Sequence, residues 1–580
     1  MSHLMRRVAV GILDVLLSVL LLAIIGILLT GGAEGHLGHI SISAFTCSNL
    51  LLLGIPVFLL RYALRDWGPF LGHRSLSIAS LPSGAERLLR TAHRVLLELD
   101  DVRAARTVRL VIIVSAILKA LNAWFYYGFF SGDDVEVQEM SFARLFGWSW
   151  RAWELRSPFY PLAFLYPAQS LLFWLGVRDA SVLIFAGRLV VIGFSCLNLY
   201  LVFRVARSAL SETAPALIAV FFLAFAKLHF TFASSELPRT VASTFVLMTF
   251  WLLLETTPRR LVLAGALLGV GACMRFSEVV FVLPAVALLI SRSRRSWKLP
   301  LAIFASSFLL TTAAILGPLD SAYWGKAFYS VRNFFTYTII EGASSRGGQP
   351  WHWYLTHLLT WTDAVTFCLF LASVRRPPFS LLPWAGAPFI ILSFLPHKEP
   401  RYLVPALPFI TTSAAWVVWN LVGQVAARPA IRREDARSSR VALPLLAALC
   451  VGVLFELDGF RFRRSESGVE VGRFLAEQRT PGPVAIEQAW KAGGNLYLWP
   501  TRVEDIDTTR TGDPEYVRGF LDRPEVRWVA LRDRSVRENG LAPLLEGSGF
   551  FEVRFSCRTQ RAEYRLFRKS SGRAEAPGTP

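Results

Sequence analysis

The chain of 580 residues has few cysteines, and the positions of the six exclude the common structural uses of this residue. Five lie within apolar runs and one stands alone near the C-terminus: Cys47, Cys196, Cys273, Cys368, Cys450 and Cys557. No group of them has the spacing of a zinc site, and they do not form a disulfide framework. The sequence therefore predicts neither a cysteine metal centre nor a disulfide-stapled domain.

Acidic residues are also scarce, and charged residues as a whole are few. Asp and Glu number 42 against 61 Lys and Arg, which gives a net charge of +19, and charged residues make up only 18% of the chain. The apolar share is 53% and the mean hydropathy is +0.44, values that soluble domains rarely reach. Because the arginines lie in short loops between apolar runs, the charge indicates membrane topology and argues against nucleic-acid binding.

Thirteen apolar runs predict a polytopic α-helical membrane protein. They lie near residues 8–29, 41–62, 108–127, 181–203, 213–231, 240–255, 261–273, 277–291, 299–316, 355–373, 380–395, 402–421 and 442–458. With a cytoplasmic N-terminus, every loop predicted to be cytoplasmic is basic, as the positive-inside rule requires. We interpret the first run as a retained span because no small-residue cleavage site follows it; a cleaved signal is the alternative.

A further apolar run, residues 159–175, must be left out of this count. Pro161 and Pro167 interrupt it, and if it crossed the membrane, every later loop would change sides. We therefore predict that residues 135–178 lie on or in the membrane interface, where their Trp and Tyr side chains are typical. An ordinary span, paired with a second span that hydropathy does not reveal, is the alternative.

The unusual ionisable residues concentrate in the loops predicted to be external. These loops are 128–180, 232–239, 274–276, 317–354 and 396–401, together with everything after about residue 459. Ionisable residues are costly near hydrocarbon, so their concentration on one side predicts a single external site. A transporter or flippase for a lipid-linked saccharide is the first alternative; it predicts ionisable residues deep within the spans.

The chain divides into four predicted regions. Residues 1–107 hold two extra spans and a basic cytoplasmic segment, and residues 108–458 hold the transmembrane core. In residues 459–570 short apolar runs alternate with helical patterns, which predicts a small extracytoplasmic α/β domain. Residues 571–580, rich in Ser, Gly, Ala and Pro, predict a disordered tail.

An acidic cluster in the first external loop is the first candidate for chemistry. Within residues 131–139 it brings together four carboxylates: Asp133, Asp134, Glu136 and Glu139. Like charges this close raise one another's pKa unless something compensates, so the cluster could supply a general base or handle a cation. A solvated, helix-starting acidic loop is the alternative.

Two later loops combine aromatic and ionisable residues. Trp351, His352 and Tyr354 follow a patch that contains Asp320 and Tyr323, and flat aromatic faces beside hydrogen-bonding groups suit a sugar ring. A plain interfacial aromatic belt is the alternative.

The last short external loop places His397, Lys398 and Arg401 within five residues, at the predicted water–lipid boundary. Arg binds phosphate oxygens through two parallel hydrogen bonds and Lys supplies a compact charge, so this loop could neutralise a phosphate. A solvated hairpin with a Lys–Glu pair is the alternative.

In chain order, four motifs carry a resemblance to a known family. They are Asp-Ser-x-Tyr-Trp-Gly from residue 320, Asn-Phe-x-x-Tyr from 333, Pro-Trp-His-Trp-Tyr from 350 and His-Lys-Glu-x-Arg-Tyr-Leu from 397. Together they resemble the Alg9-like mannosyltransferases, membrane-embedded enzymes of the GT-C fold. Asp133 and Asp134 fall on that family's Asp-Glu pair, although Gly132 replaces its usual Pro. Gly347, Gly348 and Gln349 stand where the family usually has Tyr-Gly-x-His.

The resemblance implies an inverting transfer of a sugar, typically mannose, from a polyprenyl-phosphate donor to a lipid-linked or cell-envelope glycan. A carboxylate near the acceptor hydroxyl would take its proton, and we assign this role to Asp133, with Asp134 as its neighbour or substitute. The charge of the leaving phosphate would be stabilised by four residues: His397, Lys398, Arg401 and Arg275. The substrate pocket would be lined by Glu139, Asp320, Tyr323, Trp351, His352 and Tyr354.

No cofactor is predicted, because cationic side chains can neutralise the phosphate. An Asp-Asp pair can nevertheless hold Mg²⁺ or Mn²⁺, so a divalent metal stays open. A GT-C transferase for arabinose, glucose or aminoarabinose is the second alternative. We predict a multi-pass protein of a bacterial inner membrane with the site facing the periplasm, or of the endoplasmic reticulum with a luminal site.

Overall fold

The structure is a computed structural model that describes fourteen stretches of the chain. They are residues 33–37, 40–44, 96–97, 100–125, 128–148, 156–292, 296–341, 348–354, 364–373, 380–426, 467–478, 482–499, 501–555 and 563–570. The predicted spans 8–29 and 442–458, most of the span 41–62 and the predicted tail 571–580 lie outside these residues.

The part of the chain before residue 430 is almost entirely helical where it is described. Two strands, β1 (Ala33–Leu37) and β2 (Ile40–Ala44), pair antiparallel near the N-terminus. The helices are α1 (Asp101–Phe125), α2 (Gly132–Phe146), α3 (Tyr166–Trp174), α4 (Ala180–Leu210), α5 (Thr213–Phe225), α6 (Lys227–Ala233), α7 (Arg239–Leu253), α8 (Pro258–Met274), α9 (Val282–Arg292), α10 (Lys298–Trp324), α11 (Tyr329–Phe335), α12 (Ala364–Ser373), α13 (Leu382–Phe394) and α14 (Leu407–Ala426). Tight 3₁₀-helical segments occur at Phe276–Phe281 and Pro400–Ala406, and wider π-helical turns occur at Pro161–Leu165 and Thr336–Ile340.

Three helical segments of the described residues are long and apolar enough to cross a membrane. They are Ala180–Leu210, Lys298–Trp324 and Pro400–Gly423. Helices α5 and α6 meet at an angle of 59° and would make a fourth crossing if the bent pair is one span. The break falls at Ala226, whose backbone is extended between the two helices. The count of thirteen spans stays a prediction.

The proline-interrupted run before α4 forms one short helical segment. A π-helical turn at Pro161–Leu165 leads directly into α3, and residues 161–174 together reach only about 21 Å. This is less than the roughly 30 Å of a bilayer's hydrocarbon core. Gln169 of α3 is buried and donates to Gln138 of α2 at 2.6 Å, so the segment packs against the helix that carries the acidic cluster. Its position in the membrane interface stays a prediction.

Close packing between α8 and α10 depends on small residues. A Cβ on Gly265 of α8 would collide with the carbonyl oxygen of Phe304 in α10, so a larger side chain would force the helices apart. Small residues allow helix backbones to approach closely in membranes, where burial from water supplies no driving force between helices.

The region after residue 466 is a mixed α/β unit, in agreement with its sequence pattern. Its helices and strands are α15 (Ser467–Glu477), β3 (Val484–Glu487), β4 (Val503–Ile506), α16 (Pro514–Leu521), β5 (Trp528–Arg532), α17 (Asp533–Glu538), α18 (Ala542–Gly547), β6 (Phe550–Val553) and β7 (Tyr564–Lys569). The sheet order is β4-β3-β5-β7-β6; β3 runs parallel to β4 and β5, whereas β7 runs antiparallel to β5 and β6. That this region is a separate extracytoplasmic domain stays a prediction.

The sheet region packs on the helical region through aromatic rings. The ring centroids of Trp499 and Trp148 lie 4.6 Å apart, and Trp490 lies beside Gly132 at the start of α2. The two regions therefore meet at the helix that bears the acidic cluster.

Candidate active site

The first turn of α2 positions the two adjacent aspartates. Ser131 precedes the helix with extended backbone angles, and Gly147 ends it in the left-handed conformation at φ 69°. Asp133 and Asp134 fall in the first turn, where the helix dipole favours negative charge. Because adjacent residues on a helix point about 100° apart, their carboxylates face different neighbours.

Asp133 lies between two arginines that are distant in sequence. Its Oδ2 accepts from Nη2 of Arg401 at 2.7 Å, across a separation of 268 residues, and its Oδ1 accepts from Arg156. Arg401 also donates to the Ser131 hydroxyl at 3.0 Å and to Glu399. The acidic cluster and the His397–Arg401 loop, which the sequence predicts to meet, are therefore in direct contact.

Asp134 is in a different environment from its neighbour. It is fully buried, and its two oxygens accept from the hydroxyls of Ser131 at 2.8 Å and Ser235 at 2.6 Å. Burial raises the pKa of the Asp134 carboxyl, and the hydroxyl contacts only partly offset this. Of the two predicted base candidates, Asp133 is the one that contacts guanidinium groups, whereas Asp134 contacts hydroxyl groups.

A buried ion pair behind the aspartates was not predicted from the sequence. Nε of Arg188 lies 2.6 Å from Oε1 of Glu236, and the same guanidinium donates to the carbonyl oxygens of Ala123 and Gly128. These contacts join α4 to the end of α1 and to the loop that leads into α2. No motif marks Arg188, which lies within an apolar run.

Two further arginines lie on the ring of Tyr402, next to Arg401. The guanidinium carbons of Arg239 and Arg275 are 4.4 Å and 5.1 Å from the ring centroid of Tyr402. Both arginines donate to the Ser277 hydroxyl, at 3.2 Å and 3.0 Å. Arg239 is fully buried, and its Nε and Nη2 have no hydrogen-bond partner among the residues that the structure describes.

The sequence predicted Arg275 as a ligand of the donor phosphate, whereas Arg239 was not among the predicted site residues. Burial lowers the pKa of the Arg275 guanidinium, and the nearby Arg401 adds to this effect, whereas Tyr402 and Glu278 oppose it. The buried carboxylate of Glu278 lies 3.6 Å from Nη1 of Arg239 and beside Arg275, so these two guanidinium groups share one carboxylate. The signal that could have identified Arg239 is its place in the external loop 232–239, directly before an apolar run.

The other members of the cationic loop contact backbone and carboxylate groups. Lys398 donates to the carbonyl oxygens of Gln349 at 2.8 Å and Leu395 at 2.5 Å. His397 lies 3.4 Å from the Glu399 carboxylate. Burial alone would raise the pKa of Glu399, but contacts with His397 and Arg401 outweigh it and hold the pKa well below its usual range. Direct phosphate binding by His397 and Lys398 stays a prediction.

The Pro-Trp-His-Trp-Tyr segment lies against this same loop. Tyr354 is buried and its hydroxyl donates to the carbonyl oxygen of Glu399 at 3.1 Å. The amide of Gln349 donates to Pro396 at 2.9 Å. Trp351 is 64% exposed and His352 is also exposed, so both side chains are accessible to a ligand.

Two predicted substrate residues have structural contacts on α10. Oδ2 of the buried Asp320 accepts from the amide of Ser330 at 2.9 Å and from its hydroxyl at 2.6 Å, which fastens α11 to α10. The ring of Tyr323 packs edge-on against Trp324, with 4.8 Å between centroids. A contact of either residue with substrate stays a prediction.

Glu139, also predicted to bind substrate, contacts the sheet region. Its Oε1 accepts from the amide of Asn495 at 2.8 Å and from the Asn495 side chain at 3.1 Å. Gly494 approaches so closely, with φ +54°, that a Cβ there would collide with this carboxyl group. In the structure Glu139 therefore fastens α2 to the loop before β4.

The pKa of Glu139 predicts a pH-dependent stability. Burial raises this pKa from 4.5 to about 7, partly offset by the contacts with Asn495. Between pH 5 and 7 the folded chain retains a proton that the unfolded chain releases, so the free energy of unfolding should fall as pH rises, by at most about 3 kcal/mol. Thermal unfolding of purified Glu139→Gln should show a flatter pH profile in this window. The exposed Glu477, changed to Gln, is the control, and an equal flattening there would contradict the assignment.

A divalent cation would need a set of carboxylate or histidine ligands. No group of three or more His, Cys, Asp or Glu side chains suited to a metal occurs among the described residues. The oxygens of Asp133 and Asp134 are engaged by arginine and serine donors.

Known proteins share both sequence and fold with this chain. The model of the Alg9-like mannosyltransferase family matches residues 136–462, beginning three residues after Asp133. The chain is 30% identical over 154 residues to a Dol-P-Man:Man(7)GlcNAc(2)-PP-Dol alpha-1,6-mannosyltransferase of Arabidopsis thaliana, covering 24% of this chain and 30% of the relative. It is 28% identical over 211 residues to the alpha-1,2-mannosyltransferase ALG9 of Homo sapiens, covering 32% and 33%. These matches span about a third of the relatives' length.

Among solved structures, the fold is similar to that of ArnT from Cupriavidus metallidurans. The structure bound to undecaprenyl phosphate matches with a TM-score of 0.55 at 16% identity, over 80% of this chain and 98% of that one. The apo structure matches with a TM-score of 0.56. The chain therefore has the helical fold of the GT-C membrane glycosyltransferases.

Proposed function

The chain belongs to the Alg9-like mannosyltransferase family, and from this premise we propose that it is an inverting glycosyltransferase. The donor is a polyprenyl-phosphate sugar, with mannose as the sugar, and the acceptor is a lipid-linked or cell-envelope glycan. The observation that carries the proposal is the contact between Asp133 and Arg401, 2.7 Å apart. This contact supports the proposal because glycosyl transfer from a lipid phosphate requires a base and a phosphate ligand in one place, the roles we propose for Asp133 and Arg401.

Asp133 acts as the general base in this proposal. Its carboxylate takes the proton of the acceptor hydroxyl while that oxygen forms a bond to the anomeric carbon of the donor. The bond between this carbon and the phosphate oxygen breaks, and its electron pair leaves with the phosphate. Because the acceptor attacks opposite the leaving phosphate, the anomeric configuration inverts.

The arginine group supports the proposed phosphate site. Arg401, Arg275 and Arg239 meet at Tyr402, and Arg239 keeps two buried nitrogens without a partner among the described residues. A dianionic leaving phosphate would accept from these groups and compete with Asp133 and Glu399 for Arg401. We propose that these cationic side chains neutralise the phosphate and that the reaction needs no cofactor.

The proposed location of the reaction is the non-cytoplasmic face of the membrane. The basic loops on the other side of the predicted spans support this orientation. In a bacterium the site would face the periplasm, and in a eukaryote it would face the lumen of the endoplasmic reticulum.

One observation favours a second candidate, a saccharide transporter or flippase. Lys119 of α1 is fully buried between helices, where it donates to Ser195 at 2.8 Å and lies 3.4 Å from His229. Ionisable residues at this depth are what the transporter alternative predicts. In detergent solution no membrane separates two compartments, so only an enzyme yields a chemical product there.

The test is a transfer assay with purified protein in detergent. Polyprenyl-phosphate mannose is the donor, a panel of lipid-linked and envelope glycans supplies acceptors, and mass spectrometry detects the product. We expect a mannosylated product whose anomeric configuration, measured by NMR, is inverted relative to the donor. Transfer only from a glucose, arabinose or aminoarabinose donor would reassign the sugar. Absence of transfer from every donor would remove the enzyme proposal and leave the transporter.

A further inference from the structure

A cavity lined by both charged and apolar side chains lies between α1 and α4, away from the aspartates. Its volume is about 640 Å³, and its lining includes Asp101, Arg109, Tyr200, Phe203, Arg204 and Arg207. The proposed reaction uses none of these residues. The cavity therefore needs an explanation of its own.

The cavity and the candidate active site lie at opposite ends of the same two helices. At the far end of α1, the carbonyl oxygen of Ala123 accepts from Arg188 at the start of α4, and Arg188 pairs with Glu236 beside the aspartates. The cavity begins at Asp101, the first residue of α1. The 25 residues of this helix reach about 36 Å, more than the roughly 30 Å of a bilayer's hydrocarbon core. The apolar run 108–127 predicts that α1 crosses the membrane, so the cavity is expected at the face opposite the aspartates, which the basic loops predict to be cytoplasmic.

The charge of the cavity favours an anion. Three arginines line it against one carboxylate, that of Asp101, which lies 2.7 Å from Nη2 of Arg207. Arg204 donates to the Tyr200 hydroxyl at 2.9 Å, a contact that leaves its charge uncompensated. Arg109 is exposed and has no ion-pair partner within the described part of the chain. The charged residues of the lining therefore carry a formal net charge of +2.

An exposed apolar stripe runs along α1 directly from Arg109 toward the middle of the bilayer. Ile113, Ile117 and Leu121 follow at intervals of four residues, which places them on one side of the helix. They are 55%, 54% and 40% exposed in the described structure. On α4, Tyr200 and Leu197 precede Arg204 in the chain, and their side chains are 43% and 38% exposed. The cationic cavity matches the charged head group of a phospholipid, and the apolar stripes beside it match the acyl chains.

We propose that this cavity binds the head group of an anionic phospholipid, whose acyl chains lie along the exposed stripes of α1 and α4. Basic pockets between helices at the cytoplasmic face are suited to such head groups, and each cation near the surface adds about 1 kcal/mol. Arg109 and Arg204 contact the phosphate, and the walls formed by Val108, Ile112 and Phe203 contact the upper part of the chains. The site is separate from that of the donor lipid, so it does not depend on the proposed reaction.

The test measures the lipid that the full-length protein retains in detergent. Purified protein is incubated with dioleoyl phosphatidylglycerol, or with dioleoyl phosphatidylcholine, and bound lipid is counted by native mass spectrometry. We expect the phosphatidylglycerol to be retained preferentially. Arg109→Gln and Arg204→Gln should each weaken its binding about fivefold, and the double variant about 25-fold.

Two matched variants make the result specific. Arg106→Gln removes an exposed charge from the same helix outside the cavity lining and should change binding less than twofold. Arg109→Lys with Arg204→Lys keeps both charges and should recover most of the binding. An equal loss in Arg106→Gln or in the double Lys variant, or retention unchanged in the double Gln variant, would overturn the proposal. Inorganic phosphate that competes with phosphatidylglycerol at equal concentration would also overturn it, by identifying a soluble anion as the ligand.

Discussion

Asp133→Asn is expected to lower the turnover of sugar transfer about a thousandfold while the protein stays folded and binds donor. General bases contribute about 10²- to 10⁴-fold to rate, and an amide cannot take the proton of the acceptor hydroxyl. The substitution keeps the size of the side chain, and its amide oxygen can still accept from Arg401, which lies 2.7 Å from the present carboxylate. The measurement is kcat and donor KM of the purified variant with polyprenyl-phosphate mannose.

The neighbouring carboxylate Glu136 supplies the matched control. It pairs with Arg156 at 2.7 Å, the arginine that also contacts Asp133. Glu136→Gln therefore disturbs the same ion-pair group without removing the base, and we expect its kcat to fall less than tenfold. Undiminished transfer by Asp133→Asn would remove the base assignment. A rise in donor KM without a fall in kcat would instead make Asp133 a positioning residue for Arg401.

Arg401→Lys is expected to lower kcat about 10²- to 10³-fold, the effect of losing one preorganised donor to developing negative charge. The guanidinium of Arg401 contacts Asp133, Ser131 and Glu399 at once. A lysine keeps the charge but lacks the rigid, planar set of donors that can serve carboxylate and phosphate together. The measurement is kcat, with the affinity for polyprenyl phosphate as a second readout.

Arg144→Lys is the control for this substitution, because Arg144 is an exposed residue of α2, away from the first turn. It should leave kcat within about twofold of the unchanged protein. Arg401→Ala should lower both the free energy of unfolding and kcat more than Arg401→Lys does, because it leaves Asp133 and Glu399 without their shared cation. If Arg401→Lys keeps full kcat and full affinity for polyprenyl phosphate, Arg401 is not the phosphate ligand.

Several parts of the site could be predicted because their signal is local. The acidic first turn of α2 and the His397–Arg401 loop are visible as unusual charge within a chain that has little of it. Their meeting was predicted from the placement of both on one side of the membrane and from the family resemblance. The contact of Asp133 with Arg401 confirms that the two segments lie together.

Other parts could not be predicted because they depend on neighbours from distant segments. Arg156 and Arg188 have no motif, and only the fold shows that each faces a carboxylate. Glu139 was predicted with the acidic cluster to serve substrate, yet its carboxyl group receives Asn495 from a region more than three hundred residues later. The same helix turn that exposes Asp133 to arginines buries Asp134 against serines.

By itself the sequence determined that this is a helical membrane protein, because long apolar runs and the distribution of arginines are properties of composition along one chain. It also determined the family, since the four motifs occur in order. Only the tertiary structure decided which of two adjacent carboxylates faces the cations, and that Arg239 is buried with two nitrogens that have no partner among the described residues. The physical reason is that charge and burial of a side chain depend on what surrounds it in space, and segments far apart in the chain supply those surroundings.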